Sequence, residues 1–424
     1  MNKDKLIPEL RFPEFLNTED WNEVEFGELL SLLSDYTANG SFASLKENVQ
    51  YYTSEEYAVL VRTTDLEKKE FTPARFTDKR GYDFLSKTSL FGGEIIMANV
   101  GSIGKVYKAP FYDKPMTLAP NTYVLKFKKG VDEEFIYQLM LRTEFEQKLL
   151  SMVGSSTLKA INKKNLRSIE IAIPKSNEQQ KIASCLSSLD ELIAAHKDKL
   201  DALKDHKKGL LQNLFPQEGE TVPKLRFPEF EGDGEWVEKE LSEVSTIITG
   251  STPSTKVPEY YGGDIMFVSP ADISNNKYVE STEKTLSLEG FEKTRKIKAN
   301  SVMFVCIGST IGKVAMNKFE CATNQQINSL VPNNENSSDF LYSNLELNAF
   351  KISGIAGNQA VPIINKTLFS SVKLKFPPTK EEQQKIASCL SAVDELITAQ
   401  QEKIEQLQQH KKGLMQGLFP KIES

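Results

Sequence analysis

EQQKIASCLSSLDELIAAHKDKLDALKDHKKGLLQNLFP, residues Glu178–Pro216, recurs 204 positions later as EQQKIASCLSAVDELITAQQEKIEQLQQHKKGLMQGLFP, residues Glu382–Pro420. The copies agree at 26 of 39 positions without a gap. In the first, Ile182, Leu186, Leu189, Ile193, His196, Leu200, Leu203, Lys207, Leu210 and Leu214 stand at alternating steps of four and three. The second repeats the series as Ile386, Leu390, Val393, Ile397, Gln400, Ile404, Leu407, Lys411, Leu414 and Leu418. This is the a/d seam of a coiled coil, sustained for about five heptads. Ser176 with Gln179, and Thr379 with Glu382, have capping-box spacing. Pro216 and Pro420 mark the stops.

A helix buried in a globular core seldom keeps so long and narrow a stripe. The two helices are therefore expected to pair with each other within one chain, antiparallel, with a pseudo-two-fold relating the halves. Polar residues interrupt the seam, His196 aligning with Gln400 and Lys207 with Lys411. Such positions fix register at some cost in stability. A histidine whose counterpart is glutamine, with no other ligand near, is no candidate for metal or catalytic work. Cys185 and Cys389 occupy equivalent places and read as small apolar side chains.

Working outward, the duplication continues. PELRFPEF at Pro8–Phe15 returns as PKLRFPEF at Pro223–Phe230, and the only two tryptophans, Trp21 and Trp236, keep the same offset. The proline makes each LRFPEF an extended strap rather than a helix. Between strap and helix the halves diverge, leaving weaker echoes. VGSIGKV at Val100–Val106 and IGSTIGKV at Ile307–Val314 each follow a short apolar run that reads as a buried strand. Ile161-Asn-Lys and Ile364-Asn-Lys lead into alternating strands that end in proline. Asp132–Leu150 and Ser338–Lys351 have helical periodicity. The fold class is α+β: two mixed α/β domains, at 1–175 and 217–378, alternate with long helices at 176–216 and 379–424.

Composition narrows the function classes. No apolar stretch approaches the ~18–20 residues of a membrane span, and MNKDKLIPELRFPEF has no signal-peptide core. Four cysteines without framework spacing fit reduced thiols and a cytoplasmic location. The net charge of −6 hides a local excess, since Leu60–Gly130 carries 13 Lys/Arg against 7 Asp/Glu. Trp236–Pro378 balances at 14 against 14. Such a distribution permits DNA binding without demonstrating it. At 1.5 Å per residue the repeated helix spans about 58 Å, enough to hold two readers in successive major grooves about 34–36 Å apart.

With these features the chain resembles the specificity subunits of type I restriction–modification systems. The resemblance rests on the domain–helix–domain–helix layout, the EQQKIASCL helix start, the IGKV after a buried strand, and the junctions at Pro174–Gln179 and Pro377–Gln383. The second domain also opens on Gly250-Ser-Thr-Pro253, whereas the first has Asp35-Tyr-Thr-Ala-Asn-Gly-Ser-Phe-Ala there, which implies a different recognition specificity. The resemblance implies a non-catalytic subunit that reads a bipartite double-stranded DNA target. It also implies two methyltransferase subunits and, in the full complex, motor–nuclease subunits as partners. S-adenosylmethionine, ATP and Mg would belong to those partners, with no cofactor on this chain. The residues agree: there is no Asn/Asp-Pro-Pro-Tyr/Phe tetrapeptide, no glycine-rich cofactor loop and no G-x-x-x-x-G-K-[ST] loop.

Base readout needs paired donors and acceptors on loops, and phosphate contact needs Lys, Arg, Ser, Thr or backbone amides. In the first domain the candidates are Arg62, Thr63, Thr64 and Asp65, then Asn99, Ser102 and Lys105. Arg75, Lys79 and Arg80 form a basic cluster beside Phe76, and Ser155, Ser156, Thr157 and Lys159 make a polar loop. In the second domain they are Ser269, Asp272, Ser309, Thr310, Lys313, Asn324, Gln325, Gln326, Asn358 and Gln359. Simpler readings stand beside these. The glycine pairs 101/104 and 308/312 can be strand turns, Asp65 and Asp272 local caps, and Lys79–Arg80 a solvated face. Two rival functions also remain, a coiled-coil scaffold displaying two ligand modules and a methyltransferase with fused recognition domains. The missing tetrapeptide disfavours the second.

Overall fold

The computed structural model of the 424-residue chain describes residues 6–152, 160–274, 276–357 and 361–420. The chain divides into two compact units, Met1–Ala194 with Gln406–Ser424, and Ala195–Glu405. Each long helix thus contributes its two ends to different units. Among the described residues, no helix is long and apolar enough to cross a membrane.

In the first unit, Leu30–Asp35, Thr122–Phe127, Ile95–Ala98 and Val106–Lys108 form an antiparallel sheet in that order. A second sheet runs Phe76–Thr77, Ala58–Val61, Met116–Leu118, Ser89–Leu90, its central pair parallel. Asn22–Glu25 pairs with Glu170–Ile173, so the chain entering the domain is clamped to the chain leaving it. Ile95–Ala98 is wholly buried, because one face meets the helices around Trp21 and Phe135 and the other the second sheet. Such two-sided burial explains a continuous apolar run in place of alternation.

The second unit repeats the plan. Ser245–Thr249, Ile327–Pro332, Val302–Val305, Val314–Asn317 and Tyr278–Val279 make a five-stranded sheet. Thr285–Leu286, Tyr261–Val268, Cys321–Thr323 and Lys296–Ile297 make a four-stranded one, with Tyr261–Val268 parallel to Cys321–Thr323. Val237–Glu240 pairs with Lys373–Phe376.

The long helices run Ser176–Leu214 and Lys380–Gly417, and every seam position named above is buried or half-buried. Pairing is antiparallel. In the second unit Gln400 Nε2 lies 2.6 Å from His196 Nδ1 and donates to the His196 carbonyl at 2.8 Å. Further along the first helix, Lys207 meets Asp394 at 2.8 Å; the partner residue number falls as the other rises. In the first unit Lys411 bonds both oxygens of Asp190, at 2.6 and 2.7 Å. The polar seam residues therefore satisfy one another, or carboxylates beside the seam.

The repeated motifs outside the seam are fasteners. Glu178 is buried and accepts from Arg11 Nε at 2.8 Å, Arg11 Nη2 at 2.7 Å and Trp21 Nε1 at 3.3 Å. Glu382, also buried, accepts from Arg226 Nε at 2.9 Å, Nη2 at 2.7 Å and Trp236 Nε1 at 3.2 Å. These hydrogen bonds raise the pKa of both guanidiniums further above their ordinary value. Each indole then meets the far end of the opposite helix. Trp21 packs edge-on to Phe419, which stacks on Phe135. Trp236 packs edge-on to Phe215, which stacks on Phe340. Burying a phenylalanine contributes about 1.5–3 kcal/mol, so each LFP terminus anchors its helix.

Two local expectations change, besides the straps, where Pro13–Phe15 and Pro228–Phe230 form short 3-10 turns in place of extended chain, proline being tolerated at the first helical position. Ser176 is the first helical residue and not a cap: the Lys175 carbonyl already accepts from the amides of Glu178 and Gln179. The Gln179 side chain is used elsewhere, accepting from Asp132 N and donating to the Pro174 carbonyl. Thr379 does accept from Glu382 N, at 3.4 Å. Second, the periodic run from Asp132 forms two helices, Glu133–Met140 and Thr143–Ser151. Arg142 between them has extended backbone, and its guanidinium lies 4.8 Å above the Phe419 ring.

Candidate nucleic-acid interface

The IGKV segments are hairpin turns of each first-named sheet, joining Ile95–Ala98 to the edge strand Val106–Lys108 in the first unit and Val302–Val305 to Val314–Asn317 in the second. Gly101 and Gly104 have φ of 80° and 81°, and Gly308 and Gly312 have 98° and 97°, values that favour glycine. Three segments converge at each turn. In the first unit Asn99 N donates to the Asn121 carbonyl and Ile161 N to the Asn99 carbonyl. In the second, Cys306 N donates to the Gln326 carbonyl, Ile364 N to the Cys306 carbonyl and Gly308 N to the Pro362 carbonyl. The architecture thus brings Asn99, at the start of one turn, beside Asn121, and Cys306–Gly308, at the start of the other, beside Gln326.

In the first unit, Arg62 precedes a short helix, Thr63–Leu66, and grips Asp65 through Nε at 2.9 Å and Nη2 at 2.7 Å. Asp65 is fully buried, and the bond raises the Arg62 pKa. Thr63 and Thr64 keep solvent access. Lys105 is exposed and 3.1 Å from Glu67. The Glu67 pKa is lowered by hydrogen bonds from Tyr107 and Lys105, so Lys105 lies near the Arg62 helix. Ser102 is exposed, and Asn99 half-buried. Asn99 lines a cleft of about 590 Å³ with Tyr36, Phe42, Tyr51 and Asn121.

The Arg75 group has other neighbours. Lys79 pairs with Asp83 at 2.7 Å and lies 5.7 Å from the Tyr57 ring, while Arg80 Nη2 donates to Asn48 Oδ1 at 2.8 Å. Arg75 is half-buried on the segment whose carbonyl accepts from Leu60 N. Ser155, Ser156, Thr157, Lys159, Asn358 and Gln359 lie outside the described residues.

In the second unit Asp272 closes a turn, accepting from Ser269 N and Oγ at 2.7 Å each and from Glu283 N at 2.8 Å. Lys313 Nζ donates to the Ile273 carbonyl at 2.6 Å. Asn324 donates to Gln326 Oε1 at 3.0 Å, and Gln325 accepts from Thr252 at 2.7 Å. Through that bond, and Ser251 N to the Thr323 carbonyl, the Gly250–Pro253 segment is stitched to the turn. Gly250 is required there, since a Cβ would stand 2.1 Å from the Asn324 carbonyl oxygen. Ser309 is exposed and Thr310 half-buried.

The sequence matches the family described as type I restriction modification DNA specificity domain over residues 18–205, and again over 233–409. The chain belongs to that family. A putative type I restriction enzyme specificity subunit of Methanocaldococcus jannaschii (MjaX) is 25% identical, covering 95% of this chain and 93% of the relative. The HindI specificity subunit of Haemophilus influenzae is 23% identical, covering 85% and 90%. The crystal structure of a type I restriction-modification S subunit from M. genitalium has a TM-score of 0.63 at 16% identity, covering 99% of this chain and 100% of that one. This likeness shows the fold. As a family member the chain is a non-catalytic specificity subunit with two DNA specificity domains, belonging to a complex that binds DNA and assembles with partner subunits.

Sequence reasoning passed over Arg295, whose Nη1 donates to the Thr249 carbonyl at 2.9 Å while its amide donates to Ser251 Oγ. It also missed the Tyr51–Tyr36 hydroxyl pair at 2.8 Å. None of these three residues carries a repeat signal. The Arg–Glu fasteners did carry one: an arginine in each strap and a glutamate in each helix start recur together.

Proposed function

We propose that each specificity domain reads one half of a bipartite DNA target, that the paired helices set the distance between the halves, and that two methyltransferase subunits dock on this chain. The supporting observation is the contrast within the duplication. The fasteners, Arg11–Glu178–Trp21–Phe419 and Arg226–Glu382–Trp236–Phe215, are the same in both units. The segments beside the turns differ, Asp35–Gly40 forming a short helical turn where the second unit has Gly250–Pro253. Different loops on equal frames suit unlike half-sites and like partners. The candidate contacts are the solvent-facing members around each turn, Ser102, Lys105, Ser309, Thr310 and Gln325, together with Thr63 and Thr64. Arg62, Asp65, Asp272 and Lys313 hold the loops in shape. On this reading the recognition domains are 1–175 and 217–378, and S-adenosylmethionine, ATP and Mg act in the partner subunits. Sequencing modified bases in cells with and without the gene tests the reading. A two-part motif that disappears on deletion is expected; an unchanged set of modified motifs overturns it.

A further inference from the structure

The second unit has a cleft of about 740 Å³ in which the Ser309–Lys313 turn faces the first long helix at Lys204, Lys207 and Lys208. Two carboxylates share this cleft, Glu346 and Asp394, and both are taken by Lys207, at 2.6 and 2.8 Å. Lys313 Nζ is turned onto the Ile273 and Pro270 carbonyls. Lys204 and Lys208 are exposed on the same wall of the cleft. A second cleft of the same unit, sharing Asp394 with the first, has the opposite character, with Glu280, Asp339, Glu395 and Glu402 against Lys277 and Lys318.

We propose that Lys204 and Lys208 are a phosphate-binding site for the DNA duplex, so that the spacer helix itself binds the backbone next to the bases the second domain reads. This rests on the reading of that domain as a half-site reader. Four residues apart on a helix, the two side chains lie on one face, separated by about 6 Å of rise. A DNA strand carries one phosphate per ~3.4 Å of axis, so two ammonium groups on flexible stems reach neighbouring phosphates. The hydroxyls of Ser309 and Thr310 on the facing wall are also phosphate donors. The adjacent acidic cleft repels a polyanion, which confines the duplex to the lysine side. Helix equivalence makes the site one-sided: Lys208 has its counterpart in Lys412, but Lys204 corresponds to Gln408.

The test uses the complete chain assembled with its methyltransferase subunits, on duplexes carrying the methylated motif. Each phosphate contact contributes about 0.9 to the slope of log affinity against log salt. Lys204→Gln/Lys208→Gln is expected to lower that slope by about 1.8 and leave the motif unchanged. Lys128→Gln/Lys129→Gln removes equal charge from an exposed turn at the far end of a first-domain strand and is expected to leave the slope as in the parent. An unchanged slope in the helix variant overturns the proposal, as does an equal drop in the control. Loss of co-purifying methyltransferase subunit without a change of slope also overturns it, assigning the surface to a protein partner. If the parent complex shows no preference for the motif duplex, the half-site reading itself fails, a result separate from any variant.

Discussion

Arg226→Ala isolates the fastener of the second unit. Glu382 is fully buried, and three hydrogen bonds reach its carboxylate, two of them from Arg226. Without the guanidinium, a carboxylate stays sealed from water with one indole N–H as donor. Removing one member of a buried ion pair costs about 3–5 kcal/mol, because the remaining charge is still desolvated. Replacing both members by apolar groups removes that charge, so Arg226→Met/Glu382→Leu is expected to cost at most about 1.5 kcal/mol, as volume-conserving swaps do. The two variants therefore differ by about 1.5 kcal/mol or more in the unexpected order, the double being the more stable. Trp21 and Trp236 are the only tryptophans, one in each unit. In a Trp21→Phe background, fluorescence during urea titration reports the second unit alone. At an m-value of about 2 kcal/mol per molar, Arg226→Ala lowers the midpoint by roughly 1.5–2.5 M. A loss below about 1 kcal/mol in the single variant, or a double variant as unstable as the two singles added, refutes the reasoning.

Gly250→Ala drives a Cβ into the Asn324 and Thr323 carbonyl oxygens, at 2.1 and 2.3 Å. Backbone cannot yield as a side chain does, so the variant should lose about 1–3 kcal/mol and, if the second domain reads one half of a two-part methylation motif as proposed, relax that half; an intact two-part motif in methylation sequencing contradicts this. Lys207 loses protonation energy to burial, yet Glu346 and Asp394 more than restore it, and its folded pKa stands above the unfolded value. Its stabilisation is thus complete below about pH 10.4 and lost as pH rises through the folded value. Thermal melts from pH 8 to 11.5 should show Lys207→Met with a shallower alkaline decline than the parent, and parallel declines would exclude the assignment.

The frame was legible in the sequence because duplication samples the same constraints twice. Where both copies kept a residue, as at Arg11 and Arg226 or Phe215 and Phe419, the structure gives each pair one task. The seam was readable for a different reason, since a 3.5-residue period needs no tertiary knowledge. Strands buried on both faces were found as apolar runs, but their neighbours were not, because sheet order depends on non-local contacts. Ala58–Val61 lying parallel to Met116–Leu118, more than fifty residues away, leaves no trace in local pattern.

The candidate contacts were harder for a chemical reason. Arg, Asp, Lys and Asn make good base and phosphate ligands because they form strong directional hydrogen bonds, and the same property makes them good loop fasteners. Composition cannot separate the two uses; committed hydrogen bonds can. Arg62 spends its fork on Asp65, and Asp272 is filled by three donors, two from Ser269 and one from Glu283 N. Ser102 and Ser309 stand exposed at turns whose glycines no side chain could replace without strain. On the proposed reading, recognition divides between residues that shape a loop and residues that the shaped loop presents. Substitution in the first group should disturb a whole half-site, and in the second a single base or phosphate.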